Sequence, residues 1–326
     1  MSRVCAVVVT YNRPDLLLEN INALIEQTLK LQTLIVVDNF SSVDTLSKLC
    51  DSGYIPSYSN EFILKGGEIQ NIIYDHENNL INFILLRLDA NIGGAGGFNK
   101  GIRYFYTKTS DDLVWIMDDD TIPFNNSLEE LLNGYHDLVR GNYNPGFLCS
   151  RVLETNFVHG NLPDLVTGRD IFKYSTINSQ LLNVMRCSFV SVLFTRIAIK
   201  TCGLPMKEFF IWHDDFEYTN RVAERFDNAI CLSSQVLHKR ILSTVEENIT
   251  DANYFKYKYG FRNEAFLVME KFAWGSFIRL LVRHFRQIFF KSRIDYISKI
   301  KLLLSSLSGL LFFRPKREYF NKNILN

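Results

Sequence analysis

The sequence predicts an α/β protein with a mostly parallel central sheet flanked by helices, followed by a helical, basic C-terminal extension. Three observations predict it. Short β-branched runs alternate with helical stretches in the order βαβαβαβ over the first half of the chain, the pattern of parallel strands with helices on the sheet faces. Four of those runs end in polar or glycine clusters: Thr10-Tyr11-Asn12, Asp38, Asn91 with its glycines, and Asp118-Asp119-Asp120. Ligands of open α/β sheets bind at those carboxyl ends. Finally, Lys271 to Arg317 holds eleven Lys or Arg against one acid, Asp295, a net of +10, so residues 1–270 carry −9 of an overall +1.

Val4–Thr10 reads as a buried strand. Tyr11-Asn12-Arg13-Pro14 is a turn, and Pro14 suits the first turn of a helix over Leu16–Gln27. Leu34–Val37 is a second strand ending at Asp38-Asn39, with Ser41 and Ser42 placed to cap the next helix. Residues 53–79, rich in Gly, Pro, Ser and Asn, read as a surface insertion with a small hairpin. Phe83–Leu88 is the third strand; it runs into Asn91-Ile92-Gly93-Gly94-Ala95-Gly96-Gly97-Phe98 and a helix to about Tyr106. Leu113–Met117 is the fourth, and Ser127–Val139 a helix. Further on, Ser188–Phe194 is a strand, Arg196–Cys202 a short helix, and Phe209–Trp212 leads into His213 and a helix to Arg225. Ile230–Leu232 is a short strand before His238, and the chain is helical from about Asp251, interrupted near Trp274-Gly275-Ser276. The domains expected are 1–250, catalytic, and 251–326, helical and basic.

Composition excludes several classes. With 47% apolar and 22% charged residues the chain is globular, not disordered. An acidic body with a basic, aromatic tail is not a nucleic-acid binder, whose cations flank its chemistry. Six scattered cysteines without a CxxC pair read as reduced thiols of a cytoplasmic protein. Cys5–Val9 is too short for the apolar core of a signal peptide, and Leu302–Phe313 too short to span a bilayer.

Five features carry chemistry. Asp118-Asp119-Asp120 places three mutually repelling carboxylates after a buried strand. Residues at i and i+2 of an extended segment share a face, so Asp118 and Asp120 can converge on one hard divalent cation, Mg²⁺ or Mn²⁺. An acidic loop capping the helix at Ser127 is the plainer alternative. Four glycines, Gly93, Gly94, Gly96 and Gly97, signal close backbone approach to an anion or sugar at a helix start, or tight strand–helix packing. Their spacing is not GxGxxG. His213-Asp214-Asp215-Phe216-Glu217 opens a helix, and both capping and a general base account for its acids. His238 matters only if the fold brings it to the aspartates; His159 and His213 are its rivals. In the tail, Arg279, Arg283 and Arg286 form one helical stripe and Phe277, Leu281, Phe285 and Ile288 another. This suits a helix packed on the body or one lying on anionic lipid.

Together these residues resemble the family 2 glycosyltransferases of GT-A (Rossmann-like) fold over roughly residues 3–240. The run from Asn91 to Gly101 is similar to the galactofuranosyl- and rhamnosyltransferase branch. Tyr257 and Arg262-Asn263 resemble a polar-aromatic motif that follows the catalytic domain there. The resemblance implies that Thr10, Arg13 and Asp38 hold the uracil and ribose. Tyr11, Asn12, Asn91, Gly93, Gly94, Gly96, Gly97 and Asp119 complete the donor site. Asp118 and Asp120 bind the metal and the donor diphosphate, His238 completes the metal shell, and Asp214 is the catalytic base, with Asp215 as the fallback. Trp212 is separated from the acid pair by His213, whereas family members often have Trp directly before it. The activity implied is an inverting transfer dependent on Mn²⁺ or Mg²⁺, from UDP-galactofuranose to a glycan or lipid-linked oligosaccharide acceptor in cell-surface polysaccharide or O-antigen biosynthesis. The enzyme would sit peripherally on the anionic cytoplasmic face of the inner membrane, held by its C-terminal region. A rhamnosyltransferase using dTDP-rhamnose is the near alternative. From other classes come a nucleotidyltransferase, which would carry its glycine loop after the first strand, and a non-catalytic glycan-binding protein.

Overall fold

A computed structural model describes residues 2–239, 248–270 and 274–320; Lys271 and Lys322 of the basic tail lie outside them. In chain order the first half contains β1 (Val4–Thr10), α1 (Pro14–Ile25), β2 (Thr33–Asp38), α2 (Val43–Asp51), α3 (Asn60–Lys65), β3 (Gly67–Tyr74), β4 (Leu80–Arg87), α4 (Gly93–Lys108), β5 (Leu113–Asp118), β6 (Thr121–Pro123) and α5 (Ser127–Arg140). The second half adds β7 (Pro145–Glu154), β8 (Asp164–Leu165), β9 (Leu181–Arg186), β10 (Val192–Thr195), α6 (Arg196–Cys202), α7 (Asp214–Ala223), β11 (Asp227–His238), α8 (Tyr254–Glu270), α9 (Trp274–Phe290) and α10 (Tyr296–Leu311).

Every residue of β1 is buried, as a continuous apolar run requires when both faces of a strand are covered. It pairs in parallel with β2 and β5, and β4 joins in parallel beyond β2. Register sets Thr10 beside Asp38, Asp38 beside Arg87 and Val9 beside Asp118. The polar strand ends therefore form one edge, and the mostly parallel centre of the sheet is as expected. Glycines set the distance between α4 and β1: a Cβ on Gly97 would come within 2.5 Å of a Val9 methyl, and one on Gly101 within 2.4 Å of a Val7 methyl.

The remaining strands differ from the sequence reading in three places. The hairpin expected within 53–79 joins β3 to β4, making β3 an antiparallel edge strand of the main sheet; its largely exposed side chains conceal it in the sequence. β10 is antiparallel to both β5 and β7, and neither β7 nor β9 is among the expected strands. β11 is twelve residues long instead of three. A register shift between Cys231 and Gln235 carries it through Ser233 and Ser234, residues beyond the expected strand. That extension pairs His238 with Thr121 of β6, so a long-range strand pairing delivers the imidazole to the aspartates.

Helices α8, α9 and α10 pack on one another around Phe261, Ile288 and Leu302. The chain after α10 then returns to the body. The Leu204 amide donates to the Glu318 carbonyl at 2.9 Å, the Glu318 carboxylate meets Lys207 at 2.8 Å, and Phe320 stacks on Tyr106. This packing corrects the stripe read from the sequence. Phe277 and Ile288 of α9 are buried, and the exposed apolar side chains are Ile278, Val282, Phe285 and Phe290. Phe277 and Ile288 of the stripe are thus spent on helix–helix contact while Phe285 stays exposed, and Arg283 of the basic stripe pairs with Glu264. No helix among the described residues is long and apolar enough to cross a membrane.

Candidate active site

The turn after β1 and the corner after β5 face each other. Thr10 Oγ1 donates to Asp119 Oδ2 at 2.8 Å, and the Tyr11 amide approaches the same oxygen at 3.4 Å. Arg13 Nη1 reaches Asp119 Oδ1 at 3.3 Å and Asp120 Oδ2 at 2.6 Å. His238 Nε2 lies 3.2 Å from Asp120 Oδ1. The three aspartates, Arg13 and His238 are thus one cluster. Asp38 lies deeper: fully buried, it pairs with Arg87 and accepts the Ser41 amide at 2.8 Å. Its bonds are to the chain itself. Arg87 has no distinguishing mark in the sequence, because only the register reveals it beside Asp38.

The loop that follows β4 is built by two asparagines. Asn91 Oδ1 accepts from Asn39 Nδ2 at 3.0 Å and from the Gly93 amide at 2.9 Å, while Asn39 Oδ1 accepts the Ile92 amide. Gly93 has φ +77°, and a Cβ there would sit 2.0 Å from the Phe210 carbonyl oxygen. A Cβ on Gly94, by contrast, would have no atom within 4 Å and would face open space. The glycines therefore divide: Gly97 serves packing, Gly93 admits the strap at Phe210, and Gly94 leaves room. Asn12, at φ +56°, ties the β1 turn to the next segment, its amide donating to Ser41 Oγ and its Oδ1 accepting the Ser42 amide.

The strap 208–213 brings the second acid cluster in. Phe210, Trp212 and His213 all have positive φ, a conformation costing non-glycine residues roughly 1–2 kcal/mol each. At Phe210 (φ 65°, ψ −58°) the Ile211 amide donates to the Phe209 carbonyl at 2.7 Å, a strained γ-turn. Such strain persists only where the surroundings impose it, and here α8 imposes it. Buried Asn263 points Nδ2 at the carbonyls of Phe209, Ile211 and Trp212 at 2.9, 3.1 and 2.9 Å. Arg262 Nη2 donates to the Glu208 carbonyl at 2.7 Å, and Trp212 lies over Gly260. The departure at Trp212-His213 thus belongs to a strained strap that ends at Asp214. Asn263→Ala strands those carbonyls, each costing about 1–3 kcal/mol if left buried and unbonded. We expect a lower thermal midpoint and, because Asp214 is no longer held in place, a kcat reduced about tenfold or more at little-changed donor KM; steady-state kinetics on the folded variant checks this.

Asp214 opens α7 and is buried. Burial first, and the Asp215 charge second, hold its carboxyl well above the usual range. Burial also pushes Asp215 up to about 6, against the Phe216 amide bond to its Oδ1 at 2.8 Å. The third acid, Glu217, is structural: Arg221 binds it at 2.9 Å and Arg317 at 3.2 Å. Asp118 is raised well above the carboxylate range by burial, then by Asp120 and Asp119, with Asp214 contributing too. The corner and the α7 acid therefore share one electrostatic field. Burial pushes Asp119 up to about 6 against the pull of Arg13. Burial also acts to raise Asp120, but His238 and Arg13 outweigh it and leave that carboxyl below its ordinary value.

The chemistry of this cluster fits a hard divalent cation. Asp120 Oδ1 is buried with His238 Nε2 at 3.2 Å beside it, His238 Nδ1 is buried without a hydrogen-bond partner, and the repulsion that raises Asp118 is what a cation relieves. The ligands are not drawn into a closed shell: no group of three or more His, Cys, Asp or Glu among the described residues is gathered for a metal, and Arg13 supplies the positive charge beside Asp119 and Asp120. His159, a rival imidazole, bonds Arg151 instead. The larger cleft, about 770 Å³, opens among Arg3, Gln32, Thr33 and Asp111 at the amino ends of the strands, opposite this cluster.

Comparison with known proteins agrees with this architecture. The sequence model of Glycosyl transferase family 2 matches residues 5–60 and 67–203, a span that stops before Asp214 and His238. Galactofuranosyltransferase GlfT1 of Mycolicibacterium smegmatis is 26% identical over 241 residues, covering 72% of this chain and 70% of that protein. Among solved structures, GalNAc-T7 with UDP, GalNAc and Mn²⁺ superposes with a TM-score of 0.55 at 12% identity, over 74% of this chain. TarS of S. aureus superposes with a TM-score of 0.50 at 13% identity, over 95% of this chain. The chain spans 44% of each of those two structures. With the family matched over more than half its length, this chain belongs to glycosyl transferase family 2 and is a glycosyltransferase of GT-A fold.

Proposed function

We propose that the enzyme transfers galactofuranose from UDP-galactofuranose, with inversion, to a lipid-linked glycan acceptor in cell-surface polysaccharide assembly. The observation that carries this reading is the meeting of the Thr10–Arg13 turn, the Asp118–Asp120 corner, His238 and Asp214 at the carboxyl edge of one sheet. The donor assignment is supported by the Asn91–Gly101 run and by the likeness to a galactofuranosyltransferase.

In this mechanism Arg13 and the open backbone at Gly94 face the donor diphosphate, and Thr10, Tyr11 and Asn12 flank the nucleoside. Asp118, Asp120 and His238 would hold Mn²⁺ or Mg²⁺, which supplies positive charge to the leaving diphosphate. Asp214 takes the proton from an acceptor hydroxyl as that oxygen bonds to the anomeric carbon. The bond from that carbon to the diphosphate oxygen breaks on the opposite face, and its electron pair leaves with UDP. One displacement inverts the anomeric centre, and no second carboxylate is needed as a nucleophile. Exposed Ile278, Val282 and Phe285 beside Arg279 and Arg286 on α9 support a peripheral position on an anionic membrane.

A donor panel tests the reading. Each sugar nucleotide is added with Mn²⁺ and thermal unfolding is followed; saturation at 100 times Kd stabilises by about 2.7 kcal/mol. UDP-galactofuranose is expected to protect most, and EDTA to abolish the protection. Stronger protection by dTDP-rhamnose would move the assignment to rhamnosyl transfer, and no protection by any sugar nucleotide would overturn it.

A further inference from the structure

We propose that the cleft between α8 and α10 binds the diphosphate of a lipid, the anchor of the acceptor, through Lys258, Arg262 and Lys301. This rests on the reading above that the acceptor is lipid-linked. The cleft has a volume of about 380 Å³, and its lining includes those three cations, Tyr254, Tyr259 and Leu304, but no carboxylate. Neither lysine forms an ion pair among the described residues. Arg262 uses Nε and Nη2 on Asn263 Oδ1 and on the strap carbonyls, which leaves Nη1 without a hydrogen bond there. Burial lowers its pKa to about 10, with Tyr259 and then the charge of Glu208 opposing the fall. Three cations without acids form a site short of negative charge. A diphosphate brings two or three charges and several acceptor oxygens, whereas a phosphodiester headgroup brings one.

Leu304 of the cleft lining continues into an apolar stripe. On α10, Ile297, Ile300, Leu304 and Leu311 follow helical spacing on the face that carries Lys301, and all four are exposed, Leu304 at 58%. A water-soluble anion has no use for that stripe; an isoprenoid or acyl chain does. The position also suits an acceptor. Tyr259 stacks on Phe210 with centroids 4.5 Å apart, and the Phe210 carbonyl accepts the Ala95 amide at 3.2 Å. The cleft and the site of transfer therefore share one wall, the strap that ends at Asp214.

The test uses the full chain in EDTA, which silences any metal-dependent diphosphate binding at Asp118 and Asp120. Farnesyl diphosphate below its micelle concentration is titrated by calorimetry, with farnesol and inorganic pyrophosphate as partial probes. The intact lipid diphosphate is expected to bind more tightly than either, and Lys258→Glu with Lys301→Glu to weaken it by about tenfold or more. Equal binding by the double variant overturns the proposal. A double variant that loses only its adhesion to phosphatidylglycerol vesicles also overturns it, since the cations would then serve bulk headgroups. Because the donor panel is read separately, failure of sugar-nucleotide binding there and failure of the cleft here are distinguishable.

Discussion

Asp214→Asn is expected to lower kcat by about 10²–10⁴-fold while leaving thermal protection by UDP-sugar and Mn²⁺ unchanged. The substitution keeps the shape and the N-terminal position on α7 but removes the carboxylate proposed to take the acceptor's proton. Donor binding depends on a different set of atoms, the Thr10–Arg13 turn and the Asp118–Asp120 corner, so protection should survive. The pH profile carries the sign of the environment. Burial and the Asp215 charge raise the Asp214 pKa, and the base works only when deprotonated. Activity of the native enzyme should therefore fall as pH drops through a value above the ordinary carboxylate range, and the residual activity of Asp214→Asn should lose that limb. Asp215→Asn is the comparison: a larger loss of kcat there, with Asp214→Asn near normal, would transfer the role to its neighbour.

The parts of the fold set by local chemistry are legible in the sequence. The β-branched run of β1, Pro14 at the head of α1, and the short helix Arg196–Cys202 each follow from a few adjacent residues. The aspartate corner is legible for the same reason, three like charges after a buried strand. What escapes depends on partners distant in sequence. β11 passes through two serines beyond the expected strand, and its pairings with β6 and β7 place His238 beside Asp120. Asp38 is singled out by resemblance, whereas its partner Arg87, 49 residues away, has no visible connection to it in the sequence. Asn263 stands out only by resemblance; its three carbonyl partners lie more than fifty residues upstream in a strap whose positive φ angles no composition announces. Periodicity locates the apolar face of α9 but not its cover, since the same pattern serves a lipid surface and two neighbouring helices.

Asp120 is the residue on which the site turns, because it touches Arg13 through one oxygen and faces His238 with the other. Asp120→Ala removes a proposed metal ligand from the leaving-group side and leaves Arg13 its contact with Asp119 at 3.3 Å. Loss of preorganised charge at a departing group costs about 10²–10³-fold in rate, and the protein itself should remain folded, since the lost bonds lie at the edge of the sheet and not in its core. The decisive measurement is sugar transfer by Asp120→Ala at saturating Mn²⁺, with UDP protection followed in parallel with and without the ion. Transfer reduced by about a hundredfold or more, with protection no longer responding to Mn²⁺, is the result expected. Near-normal turnover, or protection that still rises with Mn²⁺, would contradict a metal-assisted site built on this corner.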